Sequence, residues 1–182
     1  LGRVAVVGGG VGAAVAYPVA RAMAAAGAQV EVILGARTAD LLVLSEEIAA
    51  IPGVNLTVMT DDGSAGEKGL VTAPLKALCE AGAIDHAFAV GPAIMMKFCA
   101  ATTREFGVPT TVSLNPIMVD GTGMCGACRV SVGGETRFGC VDGPDFDGHA
   151  VDWEELMSRQ RIYVDDERVA DAEYSRSCSC HL

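Results

Sequence analysis

The stretch VAVVGGGVGA at residues 4–13 decides the fold of this chain. Its first four residues are apolar without alternation, which is typical of a short strand buried in a parallel sheet. The glycines that follow allow a tight turn, and residues 13–26 have the composition of a helix that ends at Gly27. A strand, a glycine-rich turn and a helix in this order indicate a pyrophosphate site at the helix N-terminus. Glycines in such a turn also serve close packing, so both roles stay open.

The alternation of strand and helix patterns continues to about residue 114. Strands are predicted at residues 4–7, 30–34, 56–59, 87–90 and 110–114, and helices at 13–26, 39–51, 74–81 and 94–106. Strands joined by helical crossovers form parallel sheets covered on both faces. The sequence therefore predicts an α/β domain over residues 1–114, built on a five-stranded doubly wound parallel sheet.

A different pattern, rich in glycine and cysteine, begins at residue 115 with DGTGMCGAC at its centre, residues 120–128. Cys125 and Cys128 have C-x-x-C spacing, and Cys140 follows a predicted β-hairpin over residues 129–138. Three thiolates with the carboxylate of Asp120 can converge on one soft cation, and such donors select zinc, copper(I) or an iron–sulfur cluster. We therefore predict a small β-rich metal module over residues 115–150.

The composition limits the classes of function. The 182 residues are 51% hydrophobic, and a net charge of −10 argues against binding of nucleic acid. Seven cysteines, an odd number, and the lack of a secretory signal argue against a disulfide scaffold and favour the reducing cytoplasm. Residues 4–20 carry no charge, but four glycines and Pro18 interrupt them, so no membrane span is predicted. A chain that begins directly in a core strand suggests a domain of a longer protein.

Further candidate ligand contacts follow the predicted strands, because ligands of open α/β sheets bind outside the carboxyl ends of the strands. These contacts are Asp61, Asp62 and Gly63 after the third strand, and Gly91 and Pro92 after the fourth. An ordinary turn would also explain the acidic segment. The second strand lacks the usual acidic residue at its end and is followed by Arg37, which is either a ligand of a 2′-phosphate or a solvated surface charge.

Several segments resemble known proteins. GGGVGA at 8–13, TDDGSAGEKGLVT at 60–72 and GPAIMM at 91–96 resemble the pyridine-nucleotide domain of the ferredoxin–NADP reductase superfamily. NPIMVDGTGMCGAC at 115–128 and GCVDGPDFDGH at 139–149 resemble the iron–sulfur electron-transfer subunits of dihydroorotate dehydrogenase B. The same two segments are still more similar to the small subunit of NADH-dependent ferredoxin:NADP oxidoreductase. The resemblance extends over residues 1–163.

The resemblance implies an electron-transfer function within an NAD(P)H-dependent iron–sulfur flavoprotein oxidoreductase. Hydride would pass between NAD(P)H and FAD, and single electrons would pass through a [2Fe–2S] cluster. The implied partner is a larger catalytic or electron-accepting subunit in a hetero-oligomer, with ferredoxin as a further candidate and neither nucleic acid nor a membrane involved. These relatives carry a flavin-binding barrel with an arginine–aromatic–serine signature, which is absent from these residues, so the chain alone is not expected to oxidise NADH efficiently.

The resemblance also assigns roles to individual residues. The implied cluster ligands are Asp120, Cys125, Cys128 and Cys140. The implied nucleotide contacts are Gly10, Val11, Gly12 and Ala13 at the pyrophosphate, Asp61, Asp62 and Gly63 on the ribose and nicotinamide side, and Gly91, Pro92 and Met95 in the nicotinamide pocket. No side chain is expected to act as a proton-transfer catalyst, because hydride transfer to a flavin needs none. The choice between NAD and NADP stays open.

One alternative function remains open at the level of sequence. The cysteine module would also suit a structural zinc site in a non-catalytic module that binds a nucleotide or a partner.

Residues 151–182 are predicted to form a helix at 153–163 and then a polar tail or docking arm. The tail ends in Cys178-Ser-Cys-His181, where two thiols and a histidine are more often incidental than metal-binding.

Overall fold

The computed structural model describes residues 2–177, apart from the side chain of Ser177, and its centre is one seven-stranded sheet. The strands of this sheet are β1 (Arg3–Gly9), β2 (Gln29–Ala36), β3 (Val54–Thr60), β4 (Glu67–Lys68), β5 (His86–Val90), β6 (Thr110–Ser113) and β9 (Asp145–Asp147). They lie in the order β4-β3-β2-β1-β5-β6-β9, and β7 (Arg129–Val132) and β8 (Glu135–Phe138) form a separate hairpin.

Six α-helices accompany the sheet within residues 2–177: α1 (Ala13–Ala25), α2 (Ser45–Ala49), α3 (Thr72–Glu80), α4 (Ala93–Glu105), α5 (Trp153–Gln160) and α6 (Val164–Ser177). Short 3₁₀ turns occupy Gly10–Gly12 and Ala39–Leu41. None of these helices combines the length and the apolar character that crossing a membrane requires. The cysteine–histidine segment predicted at residues 178–181 lies outside the described residues.

The alternating side chains of β1 pack into two apolar cores, one on each face of the sheet. Ala5 and Val7 join a core that includes side chains of α3, α4 and α5. Val4 and Val6 join the other core, to which α1 and α2 contribute. Burial on both faces explains why the strands are apolar throughout, and it confirms the predicted covered parallel sheet.

The five predicted strands form the parallel part of the sheet, and the α/β class is confirmed. Two short strands add to them at the edges: β4 pairs in parallel with β3, and β9 pairs antiparallel with β6. Because β9 comes from the cysteine module, this second pairing joins the module to the sheet. This pairing could not be predicted, since three residues are too few for a strand pattern.

The structure departs from the predicted helices at residues 39–51 and 153–163, and from the predicted polar tail or docking arm after them. Residues 39–51 do not form one helix, because Leu44 adopts a left-handed conformation (φ 57°) while its side chain packs against the core beside α1. The polar segment from Asp165, predicted as a tail, is helical up to Ser177. Its first turn contains three acidic residues and its last turn contains Arg176, an arrangement that favours a helix through the macrodipole. The predicted helix at 153–163 ends earlier, at Gln160.

Candidate functional site

The predicted contacts meet at one edge of the sheet, where all the parallel strands end. Gly8 of β1 pairs with Leu34 of β2 and with Val90 of β5, and Val90 pairs in turn with Ser113 of β6. The glycine loop, the Gly91 loop and the start of the cysteine module therefore leave the sheet side by side. The turn after β3 lies at the same edge, because Thr60 pairs with Ala36 at the end of β2.

The glycine loop after β1 combines two structural demands. Gly10 has a left-handed backbone (φ 55°), and a side chain placed there would meet nothing within 4 Å. Gly12 is different, because a Cβ at this position would lie 2.5 Å from the carbonyl oxygen of Val90. A Cβ on Gly9 would collide with Sδ of Met95. Gly12 is thus required for packing against the end of β5 and Gly9 packs against the Met95 side chain of α4, whereas Gly10 shapes the turn and borders open space.

The loop after β5 completes this part of the site. A Cβ on Gly91 (φ 151°) would lie 2.9 Å from the carbonyl oxygen of Gly9, so the two loops are in direct contact. The helix α4 begins here without a side-chain cap, so the amides of its first turn are available to a ligand. The helix α1 continues the uncapped 3₁₀ turn at Gly10–Gly12, and the amide of Ala13 donates to the carbonyls of Gly10 and Val11. Val11 is 84% exposed in this turn. The structure thus places predicted residues 10–13 beside predicted residues 91, 92 and 95.

In the turn after β3, the predicted ligand contact Asp62 instead forms hydrogen bonds within the turn. Oδ1 of Asp62 accepts hydrogen bonds from Oγ of Ser64 (2.6 Å) and from its backbone amide (2.9 Å), and these bonds lower the pKa of Asp62. Gly63 continues the same turn with a left-handed backbone (φ 80°). Asp61 and Arg37 are exposed, and within residues 2–177 neither side chain has a hydrogen bond or an ion pair. These two side chains are thus free to meet a ligand, whereas the carboxylate of Asp62 stabilises the turn.

The cysteine module holds its four predicted ligands as two pairs. The carboxylate of Asp120 accepts a hydrogen bond from the amide of Thr122 (2.7 Å), which is the main reason for its lowered pKa, and it also accepts from the thiol and amide of Cys125. The second pair is Cys128 and Cys140, whose sulfurs lie 3.3 Å apart. Their hydrogen bond raises the pKa of the Cys140 thiol, while the amide of Gly123 donates to it and opposes this effect.

This arrangement fits a [2Fe–2S] cluster, in which two irons each take two protein ligands. One pair is exposed at Asp120 and Cys125, whereas Cys128 is buried and Cys140 is half-buried. Gly123 has a left-handed backbone (φ 83°) that allows its amide to reach the sulfur of Cys140. In the part of the chain that the structure describes, no three histidine, cysteine, aspartate or glutamate side chains converge on a point that could hold a single metal ion.

Sequence analysis missed several residues that hold this loop. Arg159 donates to the carbonyl of Ala127 (3.0 Å), and Arg129 donates to the carbonyl of Gly126 (3.1 Å). The side-chain amide of Gln160 donates to the backbone carbonyl of Asn115 (2.9 Å). The sequence carries no signal for these contacts, because basic and amide residues are ordinary on exposed positions of helices and strands.

Family models match both parts of the chain. Residues 6–101 match the oxidoreductase NAD-binding domain, and residues 115–152 match the iron–sulfur cluster binding domain of dihydroorotate dehydrogenase B. The matched ranges correspond to the sheet with its loops and to the cysteine module with its hairpin. They support the presence of both a nucleotide site and an iron–sulfur site.

Individual relatives give the same result. A Thermotoga maritima protein named as a homolog of the electron transfer subunit of dihydroorotate dehydrogenase B (NAD⁺) is 54% identical over 93% of this chain and 59% of its own length. A probable subunit of that kind from Methanocaldococcus jannaschii is 35% identical over 80% of this chain and 55% of its own length. A solved structure of NADH-dependent reduced ferredoxin–NADP oxidoreductase, from work on flavin-based electron bifurcation, is 52% identical with a TM-score of 0.86, covering 96% of this chain and 62% of that one. The chain thus spans less than two thirds of the length of each of these relatives.

Proposed function

The chain belongs to the oxidoreductase NAD-binding domain family, and from this premise we propose that it forms the NAD(P)- and [2Fe–2S]-binding portion of an electron-transfer subunit in a flavin-dependent oxidoreductase. The match of residues 115–152 to an iron–sulfur domain supports the cluster, and the names of the relatives support the role of electron-transfer subunit. We propose FAD as the third cofactor, because the related solved structure belongs to work on flavin-based electron bifurcation.

The paired ligands of the cysteine module are the observation that carries this proposal. A thiolate pair 3.3 Å apart and a carboxylate–thiol pair meet the needs of a two-iron centre better than those of one tetrahedral ion. The module that holds them begins directly after β6, next to the strand whose end carries Gly91. A nucleotide at the glycine loop and a cluster at the cysteines would therefore occupy neighbouring positions on one edge of the sheet.

The proposed role of the chain's own residues is to bind and orient the cofactors. The first amides of the 3₁₀ turn at Gly10–Gly12 and of α4 would bind the pyrophosphate, and the open space in front of Gly10 leaves room for it. Arg37 and Asp61 would face the ribose, while Pro92 and Met95 would form a wall of the nicotinamide pocket. When bound, the nicotinamide supplies hydride chemistry, the flavin two- and one-electron chemistry, and the cluster one-electron chemistry. No described side chain is assigned a proton-transfer role.

A larger catalytic or electron-accepting subunit is the proposed partner, and it would dock on the cysteine module. Apolar side chains stand exposed around the ligands: Met118 is 51%, Val119 71% and Met124 88% exposed. Exposed apolar groups clustered at a functional loop are typical of an interaction surface. We also propose a cytoplasmic location, since the five described cysteines are unpaired and thiols persist in a reducing compartment.

The visible spectrum of the anaerobically purified chain, before and after dithionite, tests the proposal, with iron and acid-labile sulfide assayed on the same sample. We expect a reddish-brown protein that bleaches on reduction and contains about two irons and two sulfides per chain. A colourless protein that contains zinc would refute the redox assignment and favour a structural site. A colourless protein without metal that also fails to take up a cluster on reconstitution would refute both assignments.

A further inference from the structure

The guanidinium of Arg159 lies against the part of the cysteine loop that separates Cys125 from Cys128. Its Nη2 donates a hydrogen bond to the carbonyl of Ala127 over 3.0 Å, and the contact is half-buried. A charged donor makes a stronger hydrogen bond than a neutral one, and partial burial protects it from competing water. The orientation of Ala127 is therefore determined by a side chain from outside the loop.

Ala127 also contacts a predicted cluster ligand. Its backbone amide points at Sγ of Cys125 at a distance of 3.5 Å. The residue thus receives a hydrogen bond from Arg159 at its carbonyl and donates one to the sulfur at its amide. Hydrogen bonds to ligand sulfurs and nearby positive charge are the means by which a protein tunes the reduction potential of a cluster.

The helix that carries Arg159 is fixed independently of the loop. Asp152 caps α5 by accepting a hydrogen bond from the amide of Glu155 (2.9 Å), and Leu156 is buried against the core. Glu154 forms an ion pair with Lys97 of α4. The helix α5 is therefore a rigid support, and Arg159 extends from it to the loop.

We propose that Arg159 is a positioning residue for the iron–sulfur loop. It holds the carbonyl of Ala127 and so restricts the backbone of the residue whose amide donates to the sulfur of Cys125, and it adds one positive charge beside the ligands. The inference rests on the proposed function for its effect on the cluster. Its effect on the loop depends only on contacts within the chain.

The test compares the full chain with Arg159→Met, with the conservative Arg159→Lys and with the matched control Arg161→Met. Arg161 is exposed on the turn after α5, and within residues 2–177 its side chain has no hydrogen bond or ion pair, so its replacement removes the same charge without loss of a contact. Hydrogen–deuterium exchange of the segment 119–128 reports the order of the loop. A redox titration followed by visible absorption reports the midpoint potential.

For Arg159→Met we expect exchange in this segment to be roughly fivefold faster, equivalent to about 1 kcal/mol for one hydrogen bond. The midpoint potential should fall further than in Arg161→Met, because both a positive charge and an N–H···S bond are affected. Arg159→Lys keeps the charge and one donor, so its exchange should be intermediate and its potential close to that of the unmodified chain.

Unchanged exchange in Arg159→Met would overturn the proposed role in the loop. Equal potential shifts in Arg159→Met and Arg161→Met would overturn the proposed effect on the cluster, because net charge alone would then explain them. Failure of the proposed function is a separate outcome: the unmodified chain would contain no iron–sulfur cluster, which overturns the effect on the cluster, while the exchange data would still decide the role in the loop.

Discussion

Replacement of Gly12 by alanine separates the packing role of the glycine loop from its binding role. A Cβ at this position would lie 2.5 Å from the carbonyl oxygen of Val90 and 3.0 Å from Cα of Gly91, and ordinary contacts begin at 3.4 Å. The strand must therefore move by about 0.9 Å, but β5 is paired with β1 on one side and with β6 on the other. Overpacking against such a backbone costs about 3 kcal/mol, which for a chain of this size lowers the melting temperature by roughly 6–12 °C.

Gly10→Ala should behave differently, because a Cβ there meets nothing within 4 Å and only the left-handed backbone opposes it. The expected loss of stability is about 1 kcal/mol, or roughly 2–4 °C, but the new methyl group would lie at the proposed pyrophosphate site. Gly53→Ala is the matched control, since Gly53 is also left-handed (φ 80°) with open space around it and lies before β3, at the opposite edge of the sheet.

Thermal unfolding and titration with NAD(H) and NADP(H) measure the two effects on the same three variants. We expect Gly12→Ala to be the least stable, and Gly10→Ala to bind nucleotide more weakly than Gly53→Ala at similar stability. The reasoning about packing would be refuted if Gly12→Ala unfolded within about 1 kcal/mol of the unmodified chain. The assignment of the pyrophosphate to this loop would be refuted if Gly10→Ala and Gly53→Ala bound nucleotide equally well.

Three further substitutions, one of them with a matched control, test the cluster site and the acid stability. Asp120→Cys should lower the midpoint potential by on the order of 100 mV, because a thiolate donates more electron density than a carboxylate; an unchanged potential in a redox titration would show that Asp120 is not a ligand. Cys140→Ser should abolish the visible absorption of the cluster, whereas Cys99→Ala should retain it, because Cys99 is buried in the core and burial raises the pKa of its thiol to about 12. Asp85→Asn should lose less stability in acid than the unmodified chain. A hydrogen bond from Arg3 lowers the pKa of Asp85 below its ordinary value of 3.8. The contribution of the Asp85 carboxylate to stability is therefore present above pH 3.8 and is lost as the pH falls through the lowered pKa. Urea unfolding between about pH 5 and pH 2 measures this, and parallel curves for both proteins would contradict it.

The parallel sheet could be predicted from the sequence because its central strands β1 and β5 are largely apolar and because strand and helix patterns alternate between glycine and proline signals. The same reasoning failed at Leu44, where a left-handed residue divides a segment that has the composition of one helix. It failed again at Asp165, where high polarity suggested a tail although the placement of the charges suits a helix. In both places the outcome depends on one backbone angle or on the positions of charges, which a reading of composition does not resolve.

The candidate site, like the fold, could be predicted from the sequence only in part. Glycines and cysteines were found by their spacing, because their conformational freedom and their thiols have recognisable patterns. The spacing did not predict that the carboxylate of Asp62 would accept a hydrogen bond from Ser64 within its own turn. It also did not predict that the carbonyl oxygen of Val90 would leave no room for a side chain at Gly12. The Gly12 contact joins segments that are neighbours only after folding, and the Arg159 contact with Ala127 is of the same kind. The Asp62 contact is local, but residue spacing alone does not decide whether a turn carboxylate bonds within its turn or to a ligand.

The join between the sheet and the cysteine module has a consequence for electron transfer. Strand β9 pairs with β6 through Ser113 and Asp145, and the amide of Leu114 donates to the carbonyl of Pro144 (2.9 Å). The module is therefore fixed to the strand next to β5, and paired strands lie about 5 Å apart. Movement of β9 away from the sheet would require these hydrogen bonds to break. In the proposed function the rate of electron transfer depends on the distance between redox centres, and β9, together with the contacts of α5, holds the module that would carry one of them against the sheet.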